Sequence, residues 1–215
     1  MSSWKIIDYL TWISNGCRVN TQVQQLDLSN NSIMTIPAEI ENLKNLRSLY
    51  LQGNQLTSIP AEIGNLCKLQ VLDLYNNKLA TIPVEIGKLQ KLHTLYLTEN
   101  QLVEFPICIL SLSTIMSLDL SSNQIESIPV SIENLRSLRT FAMYDNHLTS
   151  IPDSIVNMSK LKTLDIADNR IKSISVAICR LKSLCYLDIS SNHNAFVPSV
   201  ITNRNLVYTV HDQFK

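Results

Sequence analysis

Apolar residues along this chain recur on a fixed clock. Val23, Leu26 and Leu28 are followed by Ile33, Ile36 and Ile40 and then Leu43, and the pattern returns every 23 residues. Eight in-register copies fill residues 23–206, so the repeat outranks any residue-by-residue reading. The interval of two between Leu26 and Leu28 sends both side chains to one face of a short strand. The interval of three from Ile40 to Leu43 fits a helical turn instead. Each copy is therefore predicted to hold a strand, a corner and a short helix or 3₁₀ segment.

Two further columns keep the same time. All seven prolines share one phase, at Pro37, Pro60, Pro83, Pro106, Pro129, Pro152 and Pro198, with Ser175 in the skipped slot. A proline lacks the N–H that is left unpaired at a helix start, so it is expected to open the helical turn. It also holds the Ile36-type residue before it extended. Asparagine recurs without a gap at Asn31, Asn54, Asn77, Asn100, Asn123, Asn146, Asn169 and Asn192. Its amide offers two donors and an acceptor, enough to satisfy corner backbone groups that stacking would bury unpaired.

The runs LDLSNN, LDLYNN and LDLSSN, together with IPAEIENL, IPAEIGNL and IPVEIGKL, make the chain resemble the leucine-rich-repeat family in its 23-residue intracellular form. The resemblance implies an α/β solenoid, or horseshoe, with a concave parallel β-sheet and convex short helices or 3₁₀ turns. Plant Ras-group repeat proteins, animal signalling scaffolds and effectors secreted by bacteria share this repeat type.

Stacked repeats expose an apolar cross-section at each end, which needs a cover. Residues 1–22 are expected to supply a capping helix, with Ser2 or Ser3 as cap, a stripe of Ile6, Leu10 and Ile13, and Gly16 as the stop. The competing reading is a partner-docking helix that exposes Trp4 and Trp12. Towards the other end the pattern decays: Ser175 replaces proline, and Asn194 and Arg204 replace apolar residues. Residues 207–215 are expected to form an edge strand, with Val207 and Val210 in register and Asp212 where an apolar residue is due.

Composition narrows the function. Lys plus Arg and Asp plus Glu both total 18, so net charge signals neither nucleic acid nor membrane. The five cysteines are odd in number and scattered, which argues for a reducing, cytoplasmic location, or host cytoplasm for a secreted effector. No catalytic residue, metal site or cofactor is expected. His147 and His193 sit two repeats apart, about 10 Å by strand spacing, too far for joint ligation. His93 has no nucleophile beside it, and Asp188 near Cys185 would raise that thiol's pKa.

Function is expected on the strand positions that vary between copies, in columns beginning at residues 24, 25, 27, 29 and 30. They carry the acids Asp27, Asp73, Glu99, Asp119, Asp145, Asp165, Asp168 and Asp188 against the bases Arg47, Arg139 and Lys162. Eight acids against three bases leave this face at −5 on a neutral chain. Its middle column reads Asp27, Tyr50, Asp73, Tyr96, Asp119, Ala142, Asp165, Asp188. Like charges directly opposite each other are destabilising, and Tyr50, Tyr96 and Ala142 separate most of them. Tyr75, Tyr144 and Tyr186 add rings nearby, and tyrosine is a preferred binding anchor. The face, with His93, is predicted to bind a protein of basic or mixed charge, as an adaptor or as an inhibitor covering an enzyme. The chain is expected to be a monomer when free. The alternative is a substrate-recognition fragment of a larger enzyme, such as a ubiquitin ligase.

Overall fold

A computed structural model of the chain describes residues 2–192, Phe196 and 207–209. Its strands are β1 (Ser2–Trp4), β2 (Val23–Asp27), β3 (Ser48–Tyr50), β4 (Val71–Asp73), β5 (Thr94–Tyr96), β6 (Ser117–Asp119), β7 (Thr140–Ala142), β8 (Thr163–Asp165), β9 (Tyr186–Asp188) and β10 (Val207–Thr209). They form one ten-stranded sheet in sequential order. Every pairing is parallel. From β2 to β9 the register advances by the repeat length, as in Gln25 opposite Ser48 and Leu26 opposite Leu49. Each coil is one period of the sequence.

The return side of each coil is a 3₁₀ segment, beginning with Ala38–Asn42 and ending, among the described residues, with Val176–Arg180. The prolines do not occupy the first helical position that was expected. Pro37 sits one residue earlier, as an extended cap with φ −71° and ψ 153°, and its carbonyl accepts from Ile40 N at 3.1 Å. Ser175 fills the same slot with φ −65° and ψ 137°. Its hydroxyl accepts from Ala177 N at 3.2 Å, so a side-chain cap replaces the fixed ring.

Between the sheet and the 3₁₀ side lies one continuous core. Leu26, Leu28, Ile40 and Leu43 are fully buried, and their equivalents among the described residues are buried as well. Burying a leucine or isoleucine completely contributes about 1.5–3 kcal/mol, so each coil is stable only through its neighbours. The asparagine column runs through this core as a polar spine. Asn123 accepts from Leu102 N at 2.9 Å and donates to Leu97 O and Leu120 O at 2.9 and 3.0 Å. Asn77, Asn100, Asn146, Asn169 and Asn192 repeat the arrangement.

The N-terminal segment departs from the expected single helix. Residues 2–4 pair with β2, and α1 spans Ile6–Ser14 with Lys5 as its cap. With Ser2–Trp4 paired to the edge of β2, the helix lies against the first coil with its Tyr9 and Trp12 face inward. Tyr9 and Trp12 are buried, whereas Leu10 and Ile13 are exposed and Ile6 is only partly covered. Trp12 is thus a core residue: its indole N–H donates to Arg18 O at 2.7 Å and its ring packs 6.2 Å from that of Trp4. The docking helix with Trp12 exposed does not exist in this fold. Asn194, Arg204, Val210 and Asp212 lie outside the described residues.

Candidate protein-binding face

Strand alternation decides what the sheet presents. Leu26-type residues point into the core, while the 25- and 27-type residues on either side point out. The ladder makes the middle column a physical row. Asp27 lies opposite Tyr50, Tyr50 opposite Asp73, Asp73 opposite Tyr96, Tyr96 opposite Asp119, and Asp119 opposite Ala142. Ala142 then faces Asp165, and Asp165 faces Asp188. Tyr186 stands in the 25-type row and donates its hydroxyl to Asp188 Oδ2 at 2.9 Å.

The aspartates also hold the backbone. Asp73, Asp119, Asp165 and Asp188 each accept, through Oδ1, from the N–H two residues on, at 3.0, 2.9, 3.1 and 3.0 Å. This is the local turn for which aspartate is suited. Asp27 does the same with Ser29 N and the Ser29 hydroxyl and is also ion-paired with Lys5. Sequence reasoning missed that pair, because Lys5 reaches the row only once β1 has joined the sheet.

Charge is tuned along the row. Burial pushes the Asp27 carboxyl up, but the bonds from Lys5 and Ser29 outweigh it and leave the group below the usual range. Asp73 is held above the usual range by burial, against the Tyr75 N–H. Asp165 is also raised, first by burial and then by the neighbouring charges of Asp188 and Asp119. Ion pairs among the described residues are Lys5–Asp27 and Lys88–Glu85, so Asp73, Asp119 and Asp165 have no ion-paired cation among those residues. Arg47, Arg139 and Lys162 are exposed at the bend before each strand and do not neutralise them.

At the far end of each strand the backbone enters the left-handed region. Asn30, Gly53, Asn76, Glu99, Ser122, Asp145, Asp168 and Ser191 all have φ between 50° and 67°. Gly, Asn and Asp adopt this conformation at least cost, so Asp145 and Asp168 are placed there by backbone need as well as by charge. Glu99 is less suited to it, and its carboxylate accepts from the Tyr75 hydroxyl at 2.9 Å. That bond, with the charge of Glu99, raises the Tyr75 pKa. Between Tyr75 and Tyr144 in their row lie Thr98 and Ser121, both buried as small residues flanked by large rings would be. The Ser121 hydroxyl has no partner among the described residues.

Chemistry beyond binding finds little support in the geometry. No group of three His, Cys, Asp or Glu among the described residues could hold a metal ion. His193 lies outside them, and Cys185 donates its thiol to Ser183 O at 3.3 Å. All five cysteines are free. No helix among the described residues is long and apolar enough to cross a membrane.

This architecture has counterparts of known structure. A leucine-rich-repeat protein of Leptospira interrogans superposes with TM-score 0.79 at 34% identity, over 88% of this chain and 54% of that one. Internalin C2 from Listeria monocytogenes gives 0.74 at 29%, over 86% and 79%. The Arabidopsis receptor kinase HAESA, solved with the peptide hormone IDA and the co-receptor SERK1, gives 0.74 at 29%, over 87% and 33%. The chain thus spans about half the length of the Leptospira protein and about a third of the plant receptor. No curated protein matches the sequence. Family models described as leucine-rich repeats (2 copies), leucine-rich repeat region and leucine-rich repeat match residues 21–66, 61–146 and 142–193 in turn. With matches that run through seven coils and a sheet built in the same period, the chain belongs to the leucine-rich-repeat family.

Proposed function

We propose that this chain is a non-enzymatic protein-recognition module that docks a partner on its outward sheet face. The observation that carries the reading is the row itself. Part-buried tyrosines alternate with carboxylates, and Asp73, Asp119 and Asp165 lack an ion-paired cation among the described residues. A basic or mixed surface would supply those cations, while Tyr50, Tyr75, Tyr96 and Tyr144 offer rigid rings of low ordering cost. Eight strands span about 35–40 Å, enough for roughly 800 Å² per partner. The receptor neighbour that binds a peptide hormone and a co-receptor supports protein ligands as the class. Binding of this kind serves an adaptor, or an inhibitor that covers a partner enzyme, including a secreted effector. Five free thiols, with Cys67 and Cys185 exposed, support a reducing cytoplasmic setting.

A second reading is the recognition part of a longer protein, such as a ubiquitin ligase. It draws on the coverage of only 54% and 33% of two neighbours' lengths. The test common to both compares the wild type with Tyr50→Ala/Tyr75→Ala/Tyr96→Ala and with Glu39→Ala/Glu62→Ala/Glu85→Ala in affinity capture at two salt concentrations. The tyrosine variant should lose its partner by at least about tenfold in affinity, with an unchanged circular-dichroism spectrum, and the glutamate variant should keep it. Equal losses from both would sink the sheet-face reading.

A further inference from the structure

On the opposite side of the coil, one repeat breaks the pattern. The residue after each described proline-phase position runs Ala38, Ala61, Val84, Ile107, Val130, Asp153, Val176. Val84, Ile107 and Val130 are 71%, 71% and 74% exposed in three consecutive coils, and Val103 beside them is 53% exposed. Single exposed apolar residues need no explanation, but contiguous ones do. In the same coil Phe105 fills a slot held by isoleucine in the neighbouring copies, and Cys108 stands where the three preceding copies carry glutamate. The larger ring accompanies a rotated corner, with Pro106 at ψ 94° where Pro83 and Pro129 have 144° and 147°.

That corner is flanked by two open hollows. One, of about 440 Å³, is lined by residues that include Ile82, Val84, Val103, Phe105 and Ile107. The other, of about 380 Å³, is bounded by Val103, Phe105, Ile107 and Pro129, with Glu104 and Glu126 at its wall. Val103, Glu104, Phe105 and Ile107 are common to both. Glu104 and Glu126 are exposed and take no part in the ion pairs of the described residues.

We propose that this side of the molecule is a second docking surface, whose occupant is a cationic amphipathic helix of a partner protein. Neighbouring strands lie about 4.8 Å apart in the sheet, so the same coils recur on the return side at a spacing comparable with the 5–6 Å between Cβ atoms at i and i+4 on a helix. One apolar side chain therefore enters each hollow from a single helical face, and lysine or arginine beside them meets Glu104 and Glu126. An acidic segment would face two unpaired carboxylates, and an anionic membrane would be repelled in the same way. The surface is separate from the tyrosine row, so one chain bridges two partners.

The test uses the full chain and a helix-forming peptide of about 15 residues, with leucines at i and i+4 flanked by lysines. Its twin carries glutamate for lysine. Fluorescence anisotropy should show saturable binding of the lysine peptide, with amide shifts centred on Val103 and Ile107. Val103→Ser/Ile107→Ser should weaken it at least about tenfold. Glu104→Gln/Glu126→Gln, which keeps shape and needs no refolding, should weaken it between about two- and thirty-fold and flatten its salt dependence. Tyr50→Ala/Tyr96→Ala should leave the affinity unchanged, which separates this surface from the sheet face. Equal binding of the two peptides, loss in the tyrosine variant alone, uptake of the chain by zwitterionic vesicles in place of the peptide, or no saturable binding would each overturn the proposal.

Discussion

Replacing Asn100 with alanine tests whether the polar spine is structural, and the hydrogen bonds fix the size of the effect. Asn100 Oδ1 accepts from Leu79 N at 3.0 Å, and Nδ2 donates to Leu74 O and Leu97 O at 3.0 and 3.1 Å. The two carbonyls are shared along the stack: Leu74 O also receives Asn77 Nδ2, and Leu97 O receives Asn123 Nδ2. After truncation only the Leu79 N–H is left without a partner, in a buried corner. An orphaned buried group costs about 1–3 kcal/mol, and each lost bond to a still-paired carbonyl about 0.5–1.5 kcal/mol. The sum is about 2–6 kcal/mol. Asn31, by contrast, is exposed and its side chain donates, among the described residues, to Ser29 O at 2.7 Å, so Asn31→Ala should cost less than about 1 kcal/mol. Urea denaturation of both variants, with hydrogen exchange read at Leu79, gives the comparison. If Asn100→Ala and Asn31→Ala fall within about 0.5 kcal/mol of each other, the spine contributes nothing special and the reasoning fails.

Other outcomes follow from the close packing of the coils and the burial of the aspartate row. A methyl group at Gly64 would stand 2.5 Å from Glu85 O of the next coil; Gly64→Ala should therefore destabilise by about 1–3 kcal/mol, read as a lower urea midpoint. Asp165 has a raised folded pKa. Its protonated form is thus favoured in the fold, and the stability it contributes is present below the unfolded pKa and lost as pH rises through the folded one. Asp165→Asn should accordingly melt higher than the wild type at about pH 7 and match it at about pH 3; parallel melting curves across that range would refute this.

The periodic part of the fold was legible because stacking imposes one requirement per position. Leu26, Leu28 and Ile40 must be apolar, and Asn54 and its equivalents must reach three backbone groups, so composition at each phase reports structure directly. The first strand was not legible. Ser2–Trp4 has no alternation of its own, and its conformation comes from the open edge of β2. Without that strand, the sequence predicts Ile6, Leu10 and Ile13 as the inward stripe of α1, whereas Tyr9 and Trp12 are the buried residues. In the candidate site, the register of Tyr50, Tyr96 and the aspartates could be counted from the period. The turn-holding role of Asp73 and Asp119 could not, because a carboxylate that bonds N–H two residues on looks in sequence like any surface acid. A signal did exist for the left-handed corner: Asn30, Gly53, Asn76, Asp145 and Asp168 are the residue types that tolerate it.

That left-handed corner divides the face into a part free to be rewritten and a part that is not. Anyone grafting a new specificity onto this scaffold has the 25-, 27- and 29-type positions to vary, within the limits of the aspartate turns. The outermost column is closed to valine, isoleucine and other branched residues, whatever a target demands, since φ near 50–57° penalises them. Gly53, with φ 67°, is the tightest case: a methyl group there would lie 2.0 Å from Asn30 Oδ1, the tip of an exposed side chain that would have to swing aside. A combinatorial library that spends branched residues there would populate destabilised clones, whereas one that keeps the column to the residue types it already holds, with glycine retained at 53, would not.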